Sequence, residues 1–233
     1  MKLWTGYGTV YRYPFVDEQV SIYGFGTDAF YADLDPERGY NIETGVEVAP
    51  APWLQWVASG YLLDMTDEIA VVETAPFVYE NINQDKTRHL GTETEIKLSI
   101  PGWAEFSATY AFALATFREG ADKGNIIPLV PAHQAGAELT VHNPLGLSAG
   151  VSGQYVSEQY SGGDTENALE KIEAYFLMGA FVRYQPDYLP GDLDLYFGVN
   201  NLLDIRYATT GYSGTSYYPG EGRNWKLGAS YRY

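Results

Sequence analysis

The sequence has no cysteine, which excludes a disulfide frame and any thiolate metal centre. Cations are few: 14 Lys and Arg stand against 30 Asp and Glu, a net charge of −16. So acidic a chain repels a phosphate backbone, and nucleic acid is not expected as a partner. No apolar run approaches the roughly 18 residues of a transmembrane helix. The first residues, MKLWTGYGTVYRYP, carry one Lys and no apolar core, so they do not read as a signal peptide. Helical periodicity is scarce along the whole chain. Disorder is not the reason, because 45 % of the residues are hydrophobic.

What the chain does have is aromatic residues and glycine, with 21 Tyr, 5 Trp, 10 Phe and 25 Gly. That mixture suits β-structure with aromatic belts at a membrane interface. The side-chain pattern has period two. In the last segment Arg223, Trp225, Leu227, Ala229, Tyr231 and Tyr233 share one face. Asn224, Lys226, Gly228, Ser230 and Arg232 share the other. The same alternation sets Leu193, Leu195, Phe197 and Val199 against Asp192, Asp194 and Tyr196. It also sets Ile96, Leu98 and Ile100 against Glu93, Glu95, Lys97 and Ser99.

The alternation predicts about ten strands. They fall at residues 4–12, 40–48, 53–72, 77–100, 103–117, 132–142, 147–160, 172–184, 193–201 and 223–233, with 81–88 able to split the fourth as a loop. Most reach the ~9–11 residues that a tilted spanning strand needs. Short connections at 49–53, 101–102, 143–146 and 185–191 alternate with long polar ones at 14–39, 118–130, 161–170 and 204–222. A soluble sandwich shares the two-faced pattern but has no reason to keep that order. Bacterial outer-membrane barrels do, with short periplasmic turns and long outer loops. The fold class expected is all-β: an antiparallel transmembrane β-barrel segment of about ten strands, with both ends on the periplasmic side. An outer-membrane protein must be exported, so Met1 is not expected to begin the mature product, and the chain lacks a signal peptide of its own. The acidic stretch 33–38 reads as a solvated loop rather than a calcium site. NNLLDI at 200–205 breaks the alternation and reads as a strand end turning into a loop.

The end of the chain, GVNNLLDIRYATTGYSGTSYYPGEGRNWKLGASYRY, resembles the C-terminus of TonB-dependent outer-membrane receptors. Asn201, Leu202, Leu203, Asp204 and Tyr207 match that family's Asn-Leu-(aromatic or Leu)-Asp-x-x-Tyr segment, and Pro219, Gly220, Glu221, Gly222 and Arg223 its Pro-Gly-x-Gly-Arg turn. The last eight residues are similar to the assembly β-signal of outer-membrane proteins through Lys226, Gly228, Tyr231 and Tyr233, with Tyr where Phe is usual. Upstream, Arg12, Pro14, Asp17 and Glu18 resemble its Arg-x-Pro…Asp-Glu, and Leu34, Pro36, Glu37, Glu43 and Gly45 its Leu-x-Pro-Glu…Glu-x-Gly. Asn81, Gly91 and Glu93, then Pro128, Pro131 and His133, continue the series in order.

The resemblance implies a barrel of about 22 strands with a plugged lumen. Residues 1–233 would be its C-terminal portion, with the plug and the N-terminal strands absent. It implies energised uptake of a scarce nutrient, a ferric siderophore being the commonest in the family, and no activity without the plug. The implied partners are outer-membrane lipid, the barrel-assembly machinery, the missing plug and N-terminal barrel half, TonB through that plug, and the nutrient. No cofactor, metal site or catalytic residue is implied, and the location is the bacterial outer membrane. Within that frame Tyr207, Tyr212, Tyr217 and Tyr218 are the candidate ligand contacts, through stacking and hydroxyl hydrogen bonds. The same tyrosines also suit an interfacial belt. Arg12 and Glu18 read as fixing the start of a loop.

Two rivals stay open. One is a free-standing barrel of about ten strands, a pore or scaffold, in which 4–12 would pair with 223–233. The other is a barrel enzyme built on His89, His133 or His142, although neither Gly-x-Ser-x-Gly nor His-Glu-x-x-His occurs.

Overall fold

The computed structural model describes residues 1–19, 33–75, 78–212 and 214–233. Strand β1 (Lys2–Arg12) is followed by one turn of helix, α1 (Val16–Gln19). Then come β2 (Glu37–Ala51), β3 (Leu54–Ala75), β4 (Val78–Ile100), β5 (Ala104–Phe117), β6 (His133–His142), β7 (Leu147–Val156), β8 (Tyr175–Tyr184) and β9 (Asp192–Asn200). A short hairpin, β10 (Ala208–Tyr212) and β11 (Ser216–Pro219), precedes β12 (Asn224–Arg232). Ten strands form one sheet in the order β1-β2-β3-β4-β5-β6-β7-β8-β9-β12, all antiparallel, and β10–β11 stands apart. Each strand therefore pairs with its neighbour in sequence, which is the up-and-down meander of a barrel wall.

The register turns the alternating sequence into two continuous surfaces. One apolar row crosses eight strands through Leu54, Leu98, Phe106, Leu139, Val151, Ala180, Val199 and Trp225. The adjacent row is Gln55, Lys97, Ser107, Glu138, Ser152 and Gly179. A one-residue slip would exchange the two faces, so the apolar pattern fixes the register. On the first face Trp56, Ile96, Leu139, Phe176 and Phe197 are exposed. A patch that large is what a lipid-facing surface looks like. On the second face aromatic rings lie flat over glycines of the neighbouring strand. A Cβ on Gly150 would come 2.3 Å from the Phe181 ring, one on Gly45 2.1 Å from Trp4, and one on Gly91 2.6 Å from Tyr61.

The turns after β2, β4, β6 and β8 lie along one rim, and the connections after β1, β5, β7 and β9 lie along the other, which the long β3–β4 hairpin also reaches. Gly146 shows why the short rim is tight: its φ is 80°, a conformation that costs an L side chain strain. Asn143 closes the same turn by accepting the amides of Leu145 and Leu147 at 2.9 and 3.1 Å. Met1 and Tyr233 both fall on this short-turn rim, since β1 and β12 each have their other end at a long loop.

Some boundaries differ from expectation. Residues 81–88 are not a loop; they pair with β3 from Val71↔Asn81 to Thr66↔Lys86. The long β3–β4 hairpin runs past the band of the other strands, where polar side chains meet water while the ladder still satisfies the backbone. The strands expected at 147–160 and 172–184 stop at Val156 and start at Tyr175. Between them only the bridge Gln159↔Ile172 continues the pairing. The expected strand start at Phe77 and residues 20–32 of the 14–39 connection lie outside the described residues. Among the described residues β1 pairs with β2 alone and β12 with β9 alone, so the sheet is open at both ends. The closed ten-stranded barrel is therefore not the arrangement adopted.

Candidate ligand-facing wall and its loop layer

The polar face lines a trough of about 800 Å³, bordered by Ser59, Glu93, Glu95, Thr109, Gln134 and Glu138. Its charged side chains are the carboxylates Glu93, Glu95 and Glu138. Glu95 holds Lys97 at 2.9 Å and Asp194 holds Arg183 at 2.5 Å. Glu47 accepts a hydrogen bond from Gln55 at 2.9 Å. Ser, Thr and Gln side chains on the rest of the trough can accept and donate hydrogen bonds.

At the long-loop rim the sequence motifs meet as two clamps. In the first, Arg12 at the end of β1 binds Glu18 at 2.8 Å and also pairs with Glu37, the first residue of β2. Glu37 is buried and accepts the Ile69 amide at 3.0 Å. Glu18 also accepts the Phe15 amide at 2.7 Å, and Asn81 donates to the Glu18 carbonyl at 2.9 Å. Burial works to raise the Glu18 carboxyl, but the Arg12 and Phe15 hydrogen bonds outweigh it and leave it below the ordinary glutamate value. The arrangement fixes the start of the first long connection, as the sequence suggests for Arg12 and Glu18.

In the second clamp, Asn201 turns the chain out of β9 with a φ of 48°. Its side chain accepts the Ile205 amide at 2.9 Å and donates to the Ile205 and Glu221 carbonyls at 2.9 and 3.1 Å. Asp204 then accepts the Arg223 amide at 3.2 Å and pairs with its guanidinium at 3.1 Å. Two segments twenty residues apart in motif are thus one structural unit that returns the chain to β12. NNLLDI is the turn that its broken alternation implies.

The connections at 118–132 and 157–174 and the β10–β11 hairpin pack into one layer over this rim. Asn167 accepts the Ile126 amide at 2.6 Å and donates to its carbonyl at 2.8 Å. Asp164, buried, accepts the amides of Ala168 and Leu169 at 2.9 and 3.1 Å. Gly162 donates to Gly211 at 2.8 Å, and Gln159 to Thr209 at 3.2 Å, joining the hairpin to the layer. Beneath, Ile172, Phe117, Val156 and Ala115 supply most of the buried apolar side chains. The sequence reading missed the hairpin. Its signal was present in the aromatic-rich halves on either side of Gly214, whose φ is 64°.

The four candidate tyrosines occupy three environments. Tyr207 packs on Tyr175 with ring centroids 4.5 Å apart and lies against Gly220. Tyr212 sits on Gly162 and meets Tyr218 edge-on at 6.1 Å. Tyr217 and Tyr218 are exposed, and Tyr217 donates its hydroxyl to the Gly214 carbonyl at 2.9 Å. Of the β-signal residues, Lys226 and Gly228 face Gly198 and Tyr196 across the ladder on the polar side. Tyr231 is on the apolar side and donates to the Pro190 carbonyl at 2.7 Å, and Tyr233 is fully exposed.

The histidines are spread out. His89 lies 3.1 Å from Glu68, which also accepts the Thr87 hydroxyl. His133 meets the Tyr110 hydroxyl at 2.8 Å on the apolar face, and His142 meets Ser148 at 3.0 Å by a short turn. Among the described residues none of these rings touches both a hydroxyl and an orienting carboxylate, and no cluster of His, Asp and Glu is arranged to hold a metal ion. Residues 33–38 are occupied otherwise, with Asp35 and Asn83 exchanging hydrogen bonds at 2.8 and 2.9 Å.

Residues 1–202 match the profile described as TonB dependent receptor-like, beta-barrel. The chain is 27 % identical over 203 residues to the vitamin B12 transporter BtuB of Vibrio vulnificus (strain YJ016), covering 86 % of this chain and 31 % of that protein. It is 33 % identical over 125 residues, 52 % of this chain, to 20 % of a protein named membrane protein insertase YidC of Anaeromyxobacter sp. (strain Fw109-5). Among solved structures, the siderophore receptor PiuA of Acinetobacter baumannii superposes with a TM-score of 0.76 at 22 % identity, over 99 % of this chain and 34 % of that one. The chain thus spans between a fifth and about a third of the length of these relatives.

Proposed function

Since the chain belongs to the TonB-dependent receptor β-barrel family, we propose that it is the C-terminal wall of an outer-membrane receptor for energised uptake of a scarce nutrient, with a ferric siderophore as the first ligand to test. An N-terminal set of strands and a plug complete the barrel, and TonB acts through that plug. The observation that carries the reading is the open sheet: ten strands with a lipid-facing apolar surface, a polar inner wall, and two unpaired end strands. Unpaired edges are not tolerated in hydrocarbon, so β1 and β12 need further strands. The packed loop layer, with Tyr217 and Tyr218 exposed on it, provides the nutrient-facing surface. The names of two relatives point the same way, one a vitamin B12 transporter and one a siderophore receptor.

The test uses cysteines at Thr5 and Ala229, both on the outer face at matching heights of the two end strands, in cells expressing the chain behind a signal peptide, alone and as part of a complete receptor. The reading expects no crosslink within the chain, and outer-membrane recovery together with uptake of radioiron-loaded siderophore only for the complete receptor. A crosslink between the two positions within the isolated chain would make it a small closed barrel. Uptake of cobalamin but not of iron would refute the siderophore.

A further inference from the structure

Most cations of this chain are scattered or paired along loops and the inner wall, but four of its 14 gather on the opposite, lipid-facing surface. Arg38 of β2 and Lys86 of β4 flank Thr66 in one cross-strand row. The next row down is Tyr40, Asp64, Arg88 and Thr116. Arg118, just past β5, is brought alongside by its amide donating to the Lys86 carbonyl at 2.8 Å. The four border one cleft of about 450 Å³. Two carboxylates bind two of the charges, and a third, Asp85, lies within electrostatic reach of Lys86. Asp64 takes the fork of Arg88 at 2.6 and 2.7 Å and the Tyr40 hydroxyl at 2.6 Å, and Glu119 takes Lys86 at 2.6 Å. Arg38 lies over the Tyr11 ring at 5.9 Å, and among the described residues neither it nor Arg118 forms an ion pair within 4.0 Å. The cleft therefore keeps a positive surplus in a chain whose net charge is −16.

Its position says what that surplus meets. Arg88 stands about a dozen residues above the short turn after β4, and a tilted strand crosses the hydrocarbon in roughly 9–11 residues. Directly beneath the cleft the same face turns apolar, through the row Tyr7, Ile42, Leu62, Leu90 and Leu114. A free phosphate needs only the cations. Cations stacked on an apolar row that runs down the outside of the wall suit a molecule with an anionic head and hydrocarbon tails. The geometry points to a site for a phosphate-bearing outer-leaflet glycolipid, its phosphates on Arg38, Arg118, Lys86 and Arg88 and its acyl chains along Ile42, Leu62 and Leu90. Arginine suits the role because its guanidinium meets phosphate oxygens two at a time. The inference rests on the outer-membrane reading above.

The test is native mass spectrometry of the complete receptor in a zwitterionic detergent, titrated with bisphosphorylated lipid A, with dephosphorylated lipid A, and with inorganic phosphate. The expected result is retention of the bisphosphorylated lipid, with binding roughly tenfold weaker in the Arg38→Gln/Arg118→Gln double variant, as loss of charge-assisted hydrogen bonds requires. Both positions are exposed, and heat-modifiable gel mobility checks that the variant folds. The Arg38→Lys/Arg118→Lys variant keeps most of the binding. Equal retention of both lipids, an unaffected glutamine variant, or inorganic phosphate displacing the lipid at equal concentration would each overturn the site. Absence of the unmodified receptor from outer membranes would refute the membrane reading itself, an outcome separate from failed lipid binding in a receptor that is correctly located.

Discussion

Replacing Ile96 with arginine probes the two-faced wall at its most sensitive point. Ile96 lies on β4 between Trp56 and Ala108, on the apolar face. It stands about five residues above the short turn, close to half of the roughly ten that a strand needs to cross. An arginine there must leave its guanidinium in hydrocarbon or bend the side chain to the interface, which costs about 2–4 kcal/mol near the midplane. That loss is roughly a 30- to 700-fold fall in the folding equilibrium, at about 1.4 kcal/mol per factor of ten. Glu95, one residue away, faces the trough, where its partner is Lys97 at 2.9 Å. Glu95→Arg loses that exposed pair and gains a like-charge neighbour, a cost of about 1 kcal/mol or less. The assay is urea unfolding of the complete receptor in phospholipid vesicles, read by heat-modifiable mobility. Equal losses for the two variants, or a larger one for Glu95→Arg, would refute the assignment of inner and outer faces.

Gly150→Val should cost about 1–3 kcal/mol, because the new side chain overlaps the Phe181 ring. Adding Phe181→Ala should remove most of that cost, and the double-mutant cycle in the same unfolding assay measures the coupling. Asn201→Ala should destabilise the β9–β12 clamp by about 1–3 kcal/mol, by leaving the Ile205 amide and two carbonyls without partners. Hydrogen exchange of residues 201–207 should rise accordingly. The Glu18 carboxyl titrates below its unfolded value, so its support of the Arg12 clamp is complete above about pH 4.3 and is lost as pH falls through the lower folded value. Exchange at the Phe15 and Glu18 amides should therefore rise on acidification into that range, and Glu18→Gln should abolish the pH response. Deleting residues 226–233, or changing Gly228 and Tyr233 together to Asp, should prevent outer-membrane assembly of the complete receptor. Normal recovery in the membrane fraction would count against the β-signal.

The sheet was legible because its rule is local. Side chains alternate with period two whatever the neighbouring strand is, so Trp225, Leu227 and Tyr231 declare a face before any partner is known. Eight of the turns and loops could be ordered by length for the same reason, since Gly and Asn at 143–146 and 191 mark tight reversals. The errors fell where local rules compete. Residues 81–88 look like a loop because Asn, Gln, Asp and Lys are poor strand formers, yet full-length pairing with β3 overrides that preference. Tyr155 and Tyr160 look like one strand, but the ladder ends at Val156 because the chain turns to pack with the loop layer.

The sequence alone determined the wall: its strand number, its two faces, the order of short and long connections, and the family. It could not say which distant residues meet. The Arg12–Glu18–Glu37 clamp, the Asn201–Asp204–Arg223 clamp, the division of four tyrosines among three environments, and the outward cluster of Arg38, Lys86, Arg88 and Arg118 all join residues from different strands or loops. Only the tertiary structure decided them, because period two tells which side of the sheet a residue takes, whereas its height against a neighbour is set by register and strand stagger.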